Sequence, residues 1–358
     1  MSFTFYLGSH KPHWLAEAGV PLFVSFATLR DRDELWPAIA PWAMDSGGFM
    51  ELRLRGTWTV PPSEYVSVVR RCVNEIGKLD WAAIQDWMCE PVIRAKTGLT
   101  VTQHQCLTIR SLLDLRSMAP ELPWAPVLQG WAWPDYDRHV EMYARYGIDL
   151  TREPIVGVGS VCRRQNTLQA GAIFASLLRS GIQNLHGFGL KRSGLIDNAP
   201  LLRSSDSLAW STEARLTDPE KSNVYQRWLA YQRKHLPGHS HGVDGKGKCN
   251  NCLDYALWWR KEVIRQAEEG INRDIWASRR VPWRENPLEP VLVGTVGEHS
   301  FYGSKNGRWH WIDDEGTTFM RDAGKTQRDA RAALARRLGP GLPSGLLRFG
   351  QVVLPRPL

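Results

Sequence analysis

The chain has 358 residues, 43% of them hydrophobic and 23% charged, which suits one large globular domain or two modest ones with a real core. No apolar run approaches the ~18–20 residues that span a bilayer, and the start, MSFTFYLGSHKPHW, lacks the basic-then-apolar layout of a secretory signal, so a membrane protein is not expected and a cytoplasmic one is. A net charge of +8 is compatible with a polyanionic partner but does not by itself require one.

From the N-terminus to about residue 235, short apolar runs alternate with segments of helical period. FTFYLG (3–8), PLFVSFATL (21–29), the apolar stretch ahead of Asp45 and WAAIQD (81–86) read as strands. So do APVLQGW (125–131), PIVGVGSV (154–161), NLHGFGL (184–190) and DSLAWS (206–211). The helical segments are 63–77, 101–117, 135–147, 167–181 and 222–235. Strand and helix in alternation mean parallel strands with crossover helices. The strand count favours a closed TIM-like (β/α)8 barrel, and no G-x-G-x-x-G follows the first strand to support a dinucleotide fold.

Beyond the barrel the pattern changes. HLPGHSHGVDGKGKCNNC (235–252) is loop-rich, and LDYALWWRKEVIRQAEEG (253–270) reads as a helix stopped by Gly270. A Pro-interrupted linker (281–290) leads to an alternating β-hairpin with its turn at Lys305–Gly307, then a basic amphipathic segment (325–339). The expected organisation is a barrel over 1–235, a zinc-binding subdomain with a closing helix over 236–289, and a small appendage over 290–358.

A barrel gathers its chemistry where strands end. Asp45, Asp86, Gln129, Gly159–Ser160, His186–Lys191 and Asp206 all fall at such ends. Each has a plain structural reading beside the functional one. Asp45 in DSGGF and Asp86 in QDWMCEP could be turn or helix caps. Gln129 could satisfy backbone groups or hold a planar heterocycle by paired hydrogen bonds. The alternate glycines of VGVGS let flat backbone approach a ring. Of the six cysteines, Cys72, Cys89, Cys106 and Cys162 read as separate buried thiols, while Cys249 and Cys252 form a C-x-x-C suited to metal or redox chemistry.

DSGGF, an acid at the end of the next strand, LQG, VGVGS, HGFGLK with SSDSLAWS, and then a cysteine pair together resemble the tRNA-guanine transglycosylase family. The sequence is most similar to its DNA-modifying branch, the DpdA-type 7-deazaguanine transglycosylases of phages and bacteria, over roughly residues 40–260. The resemblance implies a pentosyltransferase that exchanges guanine in DNA for a 7-deazaguanine co-substrate such as 7-cyano-7-deazaguanine, in the host cytoplasm if a phage encodes it. By similarity Asp206 is the nucleophile that holds the sugar covalently, and Asp45 the general acid/base. Asp86 would read the N–H edge of the purine. Gln129 with Gly159 and Ser160 would hold its carbonyl and exocyclic substituent, and Ser46, Gly47, Gly48, Phe49, His186 and Gly187 would line the pocket. Phe49, Trp87 and Trp131 could keep water from the covalent sugar, although Trp131 reads rather as core packing.

The tRNA enzymes pair C-x-C-x-x-C with a downstream histidine on structural zinc. This chain departs from that pattern: His239, His241, Cys249 and Cys252 make H-x-H-x7-C-x-x-C, four donors for a closed tetrahedral Zn2+ site, with His235 and His299 as substitutes. A tRNA-directed transglycosylase, a non-catalytic nucleic-acid-binding barrel and a metal-dependent hydrolase are the alternative readings. A homodimer or an accessory protein is compatible with all of them.

Overall fold

The computed structural model describes residues 3–161, 168–216, 223–238, 249–272, 291–296, 299–303, 309–312 and 348–349. Contacts divide the chain into two compact units, Met1–Ile275 and Trp276–Leu358. The first unit holds strands β1 (Thr4–Ser9), β2 (Leu22–Ser25), β3 (Trp42–Asp45), β4 (Leu79–Ala83), β5 (Trp124–Ala125), β6 (Val127–Leu128), β7 (Val156–Val158), β8 (Leu185–Gly187) and β9 (Ser204–Ser207). All their pairings are parallel, in the order β5-β4-β3-β2-β1-β9-β8-β7-β6.

The two ends of that order are neighbours in sequence. Pro126 alone separates β5 from β6, and a proline offers no N–H to a ladder. Its carbonyl still accepts the Gly157 N–H at 2.9 Å. Residues 124–128 therefore act as one interrupted strand that pairs β4 on one side and β7 on the other. The nine labelled strands make a nearly closed, eight-membered parallel barrel.

The interior is filled by Tyr6, Phe23, Ala43, Trp81, Ala83, Ala125 and Ile155, with Phe188 packed against them. On β3 the period of two sends Ala43 and Asp45 inward while Trp42 and Met44 take the other face. Return helices Pro62–Glu75, Val101–Met118, Trp133–Arg145 and Leu168–Arg179 lie within about two residues of the segments predicted from helical period. Pro62 starts the first of these, which buries Tyr65, Val66, Val69 and Cys72 on one stripe. A Thr100–Gln103 capping box starts the second.

Several expectations need correction. Residues 21–29 split into β2 and a short helix, Phe26–Leu29. The strand expected at 206–211 lies at 204–207 and is followed by a helix, Ala209–Leu216. Gly270 does not stop the long helix, which runs Leu253–Asn272, so the apolar stripe outweighs one glycine's cost near its end. Cys106 is exposed rather than buried, whereas Cys72 and Cys89 are buried as expected, and Cys162 lies outside the described residues. Among the short helices that escaped the sequence reading are Gly48–Arg55 after β3 and Pro91–Thr97 after β4, each inserted before the return helix.

The second unit contains an antiparallel sheet of β10 (Val291–Val296), β11 (His299–Gly303), β12 (Trp309–Ile312) and β13 (Arg348–Phe349), in the order β12-β11-β10-β13. The predicted hairpin pairs as β11 with β12; its turn and the basic segment 325–339 lie outside the described residues. Among the described residues no helix is long and apolar enough to cross a membrane.

Candidate active site

Three carboxylates converge on the C-terminal end of the barrel. Asp45 closes β3 in register with Ser25 of β2. The Ser25 hydroxyl and the Gly47 N–H both bond its carboxylate. Burial, reinforced by the charges of Asp206 and then Asp86, nevertheless pushes the Asp45 carboxyl up to about 7. Gly47 takes a φ of +78° to cap the helix Gly48–Arg55, and Gly48 lies flat under Trp58, whose ring a Cβ would meet at 2.7 Å. The paired glycines that follow Asp45 thus serve a tight turn and an internal contact.

Asp206 sits on β9 beside Tyr6 of β1 and is 6% exposed. Its Oδ1 accepts the Gly189 N–H at 2.8 Å and lies 3.2 Å from His186 Nε2. His186 is fully buried, and burial holds its pKa below the usual range against the pull of Asp206. A neutral imidazole facing a carboxylate donates through Nε2, so its Nδ1 accepts the Ser204 hydroxyl at 2.9 Å. The Trp81 and Phe188 rings clamp the imidazole with centroids at 4.7 and 4.8 Å. Asp206 Oδ2 has no hydrogen-bond partner among the described residues. One oxygen of the carboxylate is anchored and the other is open.

Asp86, 4% exposed, is held differently. Ser46 donates to its Oδ1 at 3.1 Å and Gln129 Nε2 donates to its Oδ2. Burial raises its pKa to about 6 in spite of both donors. Gln129 is fully buried, its Oε1 lies 2.7 Å from Ser160 Oγ, and its carbonyl accepts from Gln105 at 2.7 Å. Ser160 has a φ of +55°, a left-handed conformation that costs a non-glycine residue about 1 kcal/mol. There its Oγ accepts the Cys89 N–H at 2.9 Å and lies 2.7 Å from Glu90 Oε2. Gly159 makes the arrangement fit, because a Cβ there would come 2.1 Å from Gln129 Nε2.

Of the residues singled out in the sequence, Asp45, Ser46, Asp86, Gln129, Gly159, Ser160, His186 and Asp206 therefore belong to one connected mouth. His186 lies beneath Asp206 with no exposed surface, and the Gly187 carbonyl is engaged by Ser205 at 2.7 Å. Phe49 and Trp87 are half-buried, with the Arg53 guanidinium 6.0 Å above the Phe49 ring. Trp131 is buried, in keeping with its core reading. Glu90, Ser25 and Tyr136, whose hydroxyl reaches the Gly159 carbonyl at 2.8 Å, were missed, and Gly189 was named only within the segment His186–Lys191. Glu90 lies next to Pro91 in a stretch that reads in sequence as a proline-ended turn; only the fold brings it to Ser160.

Cys249 and Cys252 are buried, reduced and hydrogen-bonded to each other at the turn Cys249–Asn251 that precedes the helix Leu253–Asn272. Two adjacent buried thiols fit half of a tetrahedral zinc site. His239 and His241 lie outside the described residues, among which no group of three metal-binding side chains occurs.

A family model described as DpdA, DeoxyPurine in DNA protein A, matches residues 1–286. No curated protein matches the chain.

Proposed function

The chain belongs to the DpdA family, and from that premise we propose that it is a transglycosylase that replaces guanine in DNA with a 7-deazaguanine, 7-cyano-7-deazaguanine being the base of choice. The observation that carries this reading is the pairing of two unlike carboxylates: Asp206 with one anchored and one open oxygen, and Asp45 with its proton retained to about 7.

In the first half-reaction Asp206 Oδ2 attacks C1′ of the deoxyribose. The C1′–N9 bond breaks, its electron pair leaves with guanine, and Asp45 delivers a proton to the departing base. In the second, the Asp45 carboxylate takes the N9 proton of the incoming deazaguanine. The new C1′–N9 bond forms, displaces Asp206, and returns both acids to their starting states. Asp86 accepts from the N1–H and amino edge, while the Gln129 amide donates to the carbonyl oxygen. Backbone at Gly159–Ser160 takes the exocyclic substituent. His186 serves the reaction from below by keeping Oδ1 occupied. Phe49 and Trp87 shield the covalent sugar from water. The target guanine must leave the stack, at a cost of a few kcal/mol.

Cys249 and Cys252, with His239 and His241, would hold Zn2+ as a structural staple for the segment after the nucleophile strand. Chelation should lower the melting temperature by several degrees and release about one equivalent of zinc per chain. A metal-free protein with an unaltered melting curve would end that assignment.

Mass spectrometry of nucleosides from DNA of cells that express the chain and are supplied with the deazaguanine precursor tests the reaction. A deazaguanine deoxynucleoside is expected with the intact protein and none with Asp206→Ala. Displacement of labelled guanine from tRNA but never from DNA would overturn the DNA assignment.

A further inference from the structure

The two short helices after β3 and β4 have no counterpart in a minimal barrel. Each starts within a few residues of a mouth carboxylate, Asp45 or Asp86, and precedes the full-length return helix of its unit. They pack against each other: Gly56, which ends the first, lies so close to the second that a Cβ would meet the Lys96 carbonyl at 3.0 Å. They therefore form a shelf on the rim, whose first helix meets the pocket only at its start, through Gly48 and Phe49.

The outer surface of this shelf combines two features. Met50 and Leu54, one turn apart on the first helix, are 53% and 61% exposed, and Val92 on the second is 44% exposed. Three of the largest exposed apolar side chains thus sit on two adjoining helices. Around them Arg53, Arg55 and Lys96 are exposed and make no ion pair with an acid among the described residues. Several cations elsewhere on the barrel are matched, Arg70 with Glu121 at 2.7 Å, Arg71 with Glu75 at 3.0 Å, Arg110 with Asp114 at 3.7 Å and Arg145 with Glu141 at 3.6 Å, whereas these three cluster around an apolar ridge. Glu51, the acid on the first helix, is turned to Thr59. The shelf joins an apolar ridge to uncompensated positive charge.

We propose that this shelf docks the DNA duplex beside the target nucleotide, with Met50 and Leu54 wedged against the stack and Arg53, Arg55 and Lys96 on the flanking phosphates. The chemistry matches on both counts. Unpaired cations bind a polyanion by releasing its counterions. An apolar wedge offsets the loss of stacking when a base is extruded. The assignment rests on the guanine-exchange reading, and extends it from the base to the polymer around it.

The test compares a fluorescein-labelled duplex with the same strand alone, by anisotropy titration and by displacement of labelled guanine. Met50→Ser combined with Leu54→Ser should weaken exchange on the duplex by about tenfold and leave the single strand within about twofold, since only the duplex needs a wedge. Arg53→Gln with Arg55→Gln should lower the salt dependence of duplex binding by about two phosphate contacts. All four side chains are exposed, and unchanged melting temperatures would verify intact folds. Equal losses on duplex and single strand, no loss on either, or an unchanged salt slope would overturn the proposal, as would tighter binding of an RNA stem-loop than of the duplex. If the wild-type chain exchanges guanine in neither polymer the exchange reading falls, while the binding arm still decides the shelf.

Discussion

The two sides of the barrel mouth are built to different plans. Around Asp86 nearly every valence is occupied: Ser46 and Gln129 hold the carboxylate, Ser160 and Gln105 hold Gln129, and Cys89 and Glu90 hold Ser160. Asp45 and Asp206 each hold two bonds without such a relay behind them, Asp206 Oδ2 stays open, and the charge of Asp206 bears on Asp45. A closed network fixes the position of donors and acceptors, which is what reading a flat base demands. An open pair leaves one oxygen and one proton available, which is what bond exchange demands. One side holds still and the other reacts.

The largest blow to that contrast is Asp206→Asn. It removes the attacking oxygen but keeps the bonds to Gly189 and His186, so exchange should fall by about a thousandfold or more while base affinity is retained. Single-turnover release of guanine with an equilibrium binding measurement would show the split; a loss confined to affinity would mean that Asp206 belongs to the reading side. Asp45→Asn comes next, with about a hundred- to thousandfold loss in both half-reactions. Wild-type guanine release should also decline as pH rises through about 7, where Asp45 gives up its proton. A flat pH profile across that range would disqualify it as the acid.

Gly159→Ala attacks the other side. The new Cβ would occupy the place of the Gln129 amide, so KM for the base should rise by about ten- to a hundredfold with kcat changed far less. A matching fall in kcat would show that the two sides are not separable. The last effect is on stability. The Asp45 carboxyl keeps its proton to about 7 in the fold against 3.8 when free, so its contribution is intact below about pH 4 and lost as pH rises toward 7. An asparagine in its place cannot ionise. The Asp45→Asn protein should therefore equal wild type in stability near pH 4 and exceed it above pH 7, by on the order of 4 kcal/mol in unfolding free energy.

The barrel was legible because its signals are local: periodicity gave the return helices, and polar residues at strand ends gave the mouth. The rim helices were not, because Gly48–Arg55 begins in DSGGF, whose glycines look like a turn until the sequel is seen. Asp45, Asp86 and Gln129 could be named since each closes an apolar run, and Asp206 from its place in SSDSLAWS, ahead of one. His186 could be named but not placed: only the fold puts it below Asp206 among aromatic rings rather than beside a ligand. Glu90 and Ser160 meet across seventy positions, a contact that no spacing advertises.

Pro126 gives the barrel a seam. On either side of it only two residues pair with each neighbour, Trp124 and Ala125 with β4 and Val127 and Leu128 with β7, where β1 and β9 share four register positions. Amide protons along this join should exchange with deuterium earlier than those of the β1–β9 zipper. Since Gln129 follows directly on Leu128, one of the barrel's thinnest joins runs straight into its most tightly tethered side chain.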